Sequence, residues 1–272
     1  MRISLDTSKW FDRPWAAFIF FTRLPLWRLH EPPRESYRAV VEYWPLTGWL
    51  TGAAMAAVIY FGSLVLPYSI AVLLAIAARL LITGALHEDG LADFFDGFGG
   101  GGADRQRILD IMKDSRIGTY GVIGLGLYLL LLFSMLASMP AKLAALTVMA
   151  ADPFSKMVSA QIILMLPYAR REDEAKARVV YRKISLKAGV GLFIQGMLPF
   201  VMLIYVTGGA MRWDLLLFAP CLVMYFMYLL IWHRLKGYTG DCCGAMFLLT
   251  ELSFYLCATY QTFNNKALWT WF

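Results

Sequence analysis

The 272-residue chain is 59% hydrophobic and 16% charged, with a mean hydropathy of +0.57. Soluble domains carry about 25% charged residues, so this composition argues against a soluble fold and for an integral membrane protein. The net charge of +6 would suit nucleic acid in a soluble protein, but in a membrane protein basic residues set orientation, and no nucleic-acid partner is expected.

In chain order, residues 1–38 read as a cytosolic or interfacial arm. Its apolar stretch Trp15 to Phe21 is too short for a span and lacks a small-residue cleavage site, so a short interfacial helix is expected rather than a signal peptide. Apolar runs follow at about 43–66, 70–86, 117–138, 143–167, 188–207, 213–232 and 244–263, each near the ~20 residues a bilayer requires. The first is rich in small residues (Gly48, Gly52, Ala53, Ala56), as close helix packing in lipid prefers. The expected fold is all-α: a polytopic helical bundle of about seven transmembrane helices plus the interfacial helix, forming one membrane-embedded catalytic domain over 1–272.

With the N-terminus placed in the cytoplasm, the segments on that side carry 20 Lys and Arg, against 3 on the other. This asymmetry places the polar clusters on the cytoplasmic side. Four cysteines (Cys221, Cys242, Cys243, Cys257) have neither metal-ligand spacing nor a disulfide pattern. Ionisable residues within the apolar runs are Glu42, Arg79, Asp152, Lys156 and Glu251; Asp152 and Lys156, four apart, are placed to neutralise each other.

The stretch from Thr83 to Gly102 departs most from the rest, with Glu88, Asp89, Asp93 and Asp96 followed by glycine at 97 and at 99–102. On a helix, Asp89, Asp93 and Asp96 share a face and repel one another unless a cation lies between them; Mg²⁺ suits such oxygen donors. The plain alternative is a solvated helix end, which disagrees with acids that follow a long helix and would sit at its negative terminus unless a new helix begins there. Gly90 and Gly97 are where a single helix would break. The glycines, Gly99 and Gly100 among them, offer backbone amides to phosphate oxygens. A second cluster, Lys113 to Gly121, supplies Lys113 and Arg116 for phosphate and Gly118 for close approach; alone it reads equally as a topology anchor. A third, Lys236 to Asp241, returns a carboxylate to the same side. The charged loop 168–187 reads as a headgroup patch, with Arg170 its exception at the membrane edge.

Leu86-His87-Glu88-Asp89-Gly90-Leu91-Ala92-Asp93, with Asp96-Gly97 and Gly99-Gly100-Gly101, resembles the signature of the cobalamin synthase family. Phe21-Thr22-Arg23-Leu24-Pro25, Tyr43 to Gly48, Ile111 to Gly121 and Gly240-Asp241-Cys242-Cys243-Gly244-Ala245 are similar in the same order, end to end. The resemblance implies a Mg²⁺-dependent membrane enzyme of the last steps of vitamin B12 assembly, in a bacterial or archaeal cytoplasmic membrane. A ribose hydroxyl of α-ribazole, or of its 5′-phosphate, would attack the β-phosphate of adenosylcobinamide-GDP and release GMP. It implies metal at Asp89, Asp93 and Asp96, a proton acceptor in Glu88 or Asp241, and phosphate or substrate contacts from Gly99, Gly100, Lys113, Arg116, Gly118, Arg23, Lys156 and Arg170. Membrane lipid is an expected partner, and a homo-oligomer is compatible with it. The chain departs from the family pattern at Lys156, where Arg is usual, and in the acidic run Glu172-Asp173-Glu174. A CDP-alcohol phosphotransferase is the related alternative, but its Asp-Gly-x-x-Ala-Arg pattern breaks at Ala92-Asp93. A cation transporter is the alternative of another class, but its site would lie at the bilayer midplane between paired halves.

Overall fold

A computed structural model describes residues 9–170 and 180–271; the acidic run 172–174 lies outside the described residues. Among them there is no strand beyond an isolated parallel bridge between Tyr168 and Tyr238. The helices are α1 (Asp12–Phe21), α2 (Trp44–Gly62), α3 (Tyr68–Thr83), α4 (Leu86–Gly100), α5 (Arg105–Lys113), α6 (Thr119–Ala137), α7 (Ala141–Ser159), α8 (Ile162–Met165), α9 (Leu186–Val206), α10 (Trp213–Leu235), α11 (Gly240–Asn264) and α12 (Ala267–Trp271). Short 3-10 segments, Leu26–Arg28 and Arg34–Tyr43, connect α1 to α2.

The protein is an all-α, multi-pass membrane protein. Among the described residues five helices are long and apolar enough to cross a membrane, or six if α3 and α4, joined at a 90° bend, make one broken span. The difference from the expected seven has two causes. The second expected span turns at Gly84, and α7, within the fourth, is less apolar than those five because it carries Asp152 and Lys156. It is the buried centre of the bundle, packed by α2, α9 and α11, and it carries Asp152, Pro153 and Lys156 inside. α1 is the short helix expected before the first span; Trp15 Nε1 donates to the His30 carbonyl at 3.0 Å and ties it to the following turn.

The small residues of α2 set its approach to α7. A Cβ on Gly48 would lie 2.6 Å from Asp152 Oδ1, and one on Gly52 would lie 3.1 Å from the Val148 carbonyl. At this contact Lys156 Nζ meets Asp152 at 2.5 Å, and Thr51 donates to Asp152 at 2.6 Å. Asp152 and Lys156 thus pair within α7 as expected, and Thr51, which also accepts from Lys156 Nζ at 3.1 Å, ties α2 to that pair.

A second buried cluster joins α3, α4, α6 and α11. Arg79 donates to both carboxylate oxygens of Glu251 (2.8 and 2.7 Å) and to the Tyr128 hydroxyl, and Tyr255 donates to Glu251 at 2.9 Å. Charges in this position persist because each is paired; removing one partner of such a pair costs roughly 3–5 kcal/mol.

Gly48→Ala is expected to cost about 1–3 kcal/mol through overpacking and to lower the thermal midpoint in detergent. Gly126→Ala, whose added Cβ meets nothing within 4 Å, leaves it unchanged or raises it. Glu251→Gln is expected to lower the midpoint far more than Asp214→Asn, which breaks only the exposed pair with Arg212.

Candidate active site

The acids of α4 owe their environment to the turn before them. Gly84 (φ 64°) and Ala85 (φ 54°) are both left-handed and end α3, and α4 starts afresh at Leu86. Glu88 and Asp89 therefore lie in the first turn of a helix, at its positive end, not at the negative end of a long one. α4 runs unbroken to Gly100, and Gly90 and Gly97 do not break it. They are close-approach positions: a Cβ on Gly90 would lie 3.1 Å from Asp241 Cα, and one on Gly97 would lie 2.5 Å from the Met112 side chain.

α11 begins beside α4. The Thr239 hydroxyl caps it by accepting from the Cys242 amide at 3.2 Å, which puts Asp241 in the first turn. Gly244 completes the crossing, since a Cβ there would lie 3.2 Å from the His87 carbonyl. Two helix N-termini, each with an aspartate, thus adjoin.

A cavity of about 310 Å³ opens there. Its charged lining is Asp89, Arg170 and Asp241; the remainder is mainly Phe20, Phe21, Val41, Trp44, Leu86, His87, Tyr168 and Tyr181. Burial raises the phenol pKa of both Tyr168 and Tyr181, so they stay protonated. Trp44 Nε1 donates to His87 Nε2 at 3.3 Å, which makes that nitrogen an acceptor and the imidazole neutral.

A second hollow, of about 490 Å³, is lined by Arg105, Gln106, Leu109, Asp110, Lys113 and Ala169, and shares Arg170 with the first. Arg170 donates to the Leu109 carbonyl at 2.9 Å, and Arg105 to the carbonyls of Leu235 (2.7 Å) and Ala169 (2.5 Å). The loop carrying Arg170 is held by the bridge to Tyr238, through Ala169 N–H to the Tyr238 carbonyl at 2.8 Å.

The candidate residues divide accordingly. Asp89, Asp241 and Arg170 line the first cavity and Lys113 the second. Asp93 lies one turn beyond Asp89, half-buried. Asp96 does not stand free as the third member of a metal triad: its oxygens accept from the amides of Gly118 (2.6 Å) and Gly121 (2.8 Å) and cap α6. Glu88 turns into the bundle, 3% exposed and 3.7 Å from Arg79, and lines neither cavity. Gly99 and Gly100 lie within α4, so their amides serve its ladder rather than an open loop, and Gly99 packs under the Tyr120 ring. Arg116 is exposed and paired with Asp114 at 2.7 Å, and its hydrogen bonds hold Asp114 down at about 2. With Gly118, Gly100 and Asp96 it lines a separate hollow. Lys156, 1% exposed, is committed to Asp152 and reaches neither cavity. Arg23 is exposed and packs over Gly84 at the bend. Sequence reasoning missed the ring set Phe21, Trp44 and His87, and Arg105. His87 lies inside the acidic signature, but nothing local separates a pocket-lining histidine from a core one.

The cobalamin-5-phosphate synthase family model matches residues 13–259. An adenosylcobinamide-GDP ribazoletransferase of Leptospira interrogans is 36% identical over 247 residues, covering 89% of this chain and 92% of that one. Those of Shewanella frigidimarina (36% over 247 residues; 88% and 91%) and Ralstonia nicotianae (37% over 248; 88% and 91%) are similar. No solved structure matches the chain. With the match running through both helix starts that form the cavity, the chain belongs to the cobalamin-5-phosphate synthase family.

Proposed function

We propose that this protein transfers the cobinamide phosphate of adenosylcobinamide-GDP to α-ribazole or its 5′-phosphate at the cavity between α4 and α11. The observation that carries the reading is the shared Arg170, which joins a cavity lined by two carboxylates to a hollow whose charged lining is Arg105, Lys113, Arg170 and Asp110. In the proposed step a ribose oxygen bonds to the β-phosphorus, the bond from that phosphorus to the GMP oxygen breaks, and the hydroxyl proton is accepted by a carboxylate. Asp241 is that acceptor, since it lines the cavity and Glu88 is turned toward Arg79. Arg170, Lys113 and Arg105 neutralise phosphate oxygens, and the two helix N-termini add their partial positive charge.

Magnesium belongs to the same proposal. Among the described residues no group of three His, Cys, Asp or Glu is arranged to hold a metal. Mg²⁺ bound with a phosphate substrate needs only one or two carboxylates, the rest of its shell being phosphate and water, and Asp89 at the cavity fits that donor set. Asp89 would hold it, with Asp93 the next acid on the same face, and the ion would neutralise charge on the pyrophosphate. The distribution of Lys and Arg, 20 against 3, supports a cytoplasmic face for the site.

Purified protein in lipid, given adenosylcobinamide-GDP, α-ribazole and Mg²⁺, is expected to release GMP; none above a no-enzyme control overturns the reading. Asp89→Asn is expected to raise the Mg²⁺ needed for half-maximal rate by about 10- to 100-fold, the range that follows loss of partners around a metal. Asp96→Asn is expected to leave that requirement unchanged and to lower the thermal midpoint, since each hydrogen bond to its charge contributes roughly 1.5–3 kcal/mol.

A further inference from the structure

The ring-lined cavity distinguishes between the parts of the two substrates. Phe21, Trp44 and His87 present near-parallel rings: Phe21–Trp44 centroids are 5.4 Å apart at 15°, Trp44–His87 5.7 Å at 25°, and Phe21–His87 6.1 Å at 14°. Phe20 and Tyr181 meet edge to face at 6.1 Å and 82° beside them. Exposure is graded along the same lining. Phe21, Trp44 and His87 are buried, Arg170 and Asp241 are part-exposed, and Asp89 is exposed. The inner end is therefore aromatic and the outer end charged.

Resting on the proposed transferase reading, we infer that this inner end is the subsite for the base of the acceptor nucleoside, a flat bicyclic ring with a hydrocarbon edge. Faces of rings attract such a base by stacking. The volume of about 310 Å³ is at the small end of ligand cavities, admitting a bicyclic base and excluding a corrin. Guanine fits the chemistry less well. Its edge carries donors and acceptors, and two polar atoms of the inner wall, Trp44 Nε1 and His87 Nε2, are already paired with each other. Burying an unmatched polar edge is unfavourable, whereas the methylated benzimidazole of α-ribazole has no such edge. A base seated here extends its ribose toward Asp241, the proton acceptor, and leaves the cationic hollow beyond Arg170 to the phosphates of the donor.

The test is two-substrate kinetics with the full chain in lipid nanodiscs, joined to equilibrium dialysis with α-ribazole and with guanosine. Phe21→Leu is expected to raise KM for α-ribazole about tenfold, as loss of one stacking partner does, and to leave KM for adenosylcobinamide-GDP unchanged. Tyr181→Leu, at a half-buried wall position, is expected to shift the same constant and serves if Phe21→Leu does not fold. Without donor, wild-type protein is expected to retain α-ribazole and not guanosine. A shift in the donor's KM, guanosine retained in place of α-ribazole, or an acceptor KM untouched by both variants overturns the assignment even if GMP is released. Retained α-ribazole that Phe21→Leu weakens, with no GMP released, upholds the base subsite and overturns the transfer reaction instead.

Discussion

The break between α3 and α4 is the constraint on which the site depends. A straight continuation of α3 would carry Glu88 and Asp89 past the negative end of a long apolar helix. Two consecutive left-handed residues, Gly84 and Ala85, prevent this and turn the chain by 90°. For Ala85 that conformation costs about 1–2 kcal/mol, so it must be held. The Arg23 amide donates to the Ile82 carbonyl at 2.7 Å, the Ala85 amide donates to the Leu80 carbonyl at 3.0 Å, and the Arg23 side chain lies over Gly84, where any Cβ would clash. Arg23 of the N-terminal arm thus serves the site without lining it, whereas Phe20 and Phe21 of the same arm line the cavity. A strained turn over-determined by its surroundings is where functional geometry is commonly stored.

Once α4 starts anew, its acids take different roles because neighbours differ around its circumference. Glu88 points back at α3 and meets Arg79, whose two strongest contacts already belong to Glu251. Asp89, one residue on, faces the cavity. Asp96, two turns later, meets the start of α6 and spends both oxygens on its free amides. Around α4, Glu88 is thus a buried ion-pair partner, Asp89 a site residue and Asp96 a helix cap, whereas the face expected to bind metal was Asp89, Asp93 and Asp96. Each is stabilised by positive charge, as carboxylates in a low-dielectric bundle require, but by a guanidinium, a helix terminus and backbone amides in turn.

This division explains what was legible in the chain. Hydropathy and charge asymmetry revealed an all-α membrane protein and located its polar segments, because lipid demands long apolar helices. That α7 is packed by α2, α9 and α11 at the centre of the bundle was not legible, because a hydropathy run does not reveal burial by protein. Gly48 and Gly52 were legible as packing residues, and Asp152 with Lys156 as a mutual pair, since both follow from helical spacing. Asp89, Asp241 and Arg170 were legible as site candidates because polar groups at span ends are few. The role of Asp96 was not, since its partners Gly118 and Gly121 lie more than twenty positions away and only the tertiary fold brings them near. Arg105 and the Phe21–Trp44–His87 set escaped for the same reason: three helices contribute the rings, and no local pattern links them.

The closeness of the two helix starts governs the electrostatics of the cavity. Gly90 and Gly244 let α4 and α11 cross with backbone nearly in contact, so the positive ends of both helices and the carboxylates in their first turns share one small region. The positive ends of the two helices favour negative charge in their first turns, which reduces the cost of placing Asp89 and Asp241 beside each other. Ionised carboxylates repel a bare pyrophosphate, yet the reaction must bring one there. The cations that offset the repulsion come from elsewhere in the chain: Arg170 on the loop after α8, Arg105 and Lys113 on α5. Each arginine is held in place by donating to a backbone carbonyl, which positions its charge at a hollow that Asp110 also lines. Acids at two helix starts and arginines anchored on carbonyls thus bring both signs of charge into one cleft, which is the condition for binding a phosphate and accepting a proton beside it.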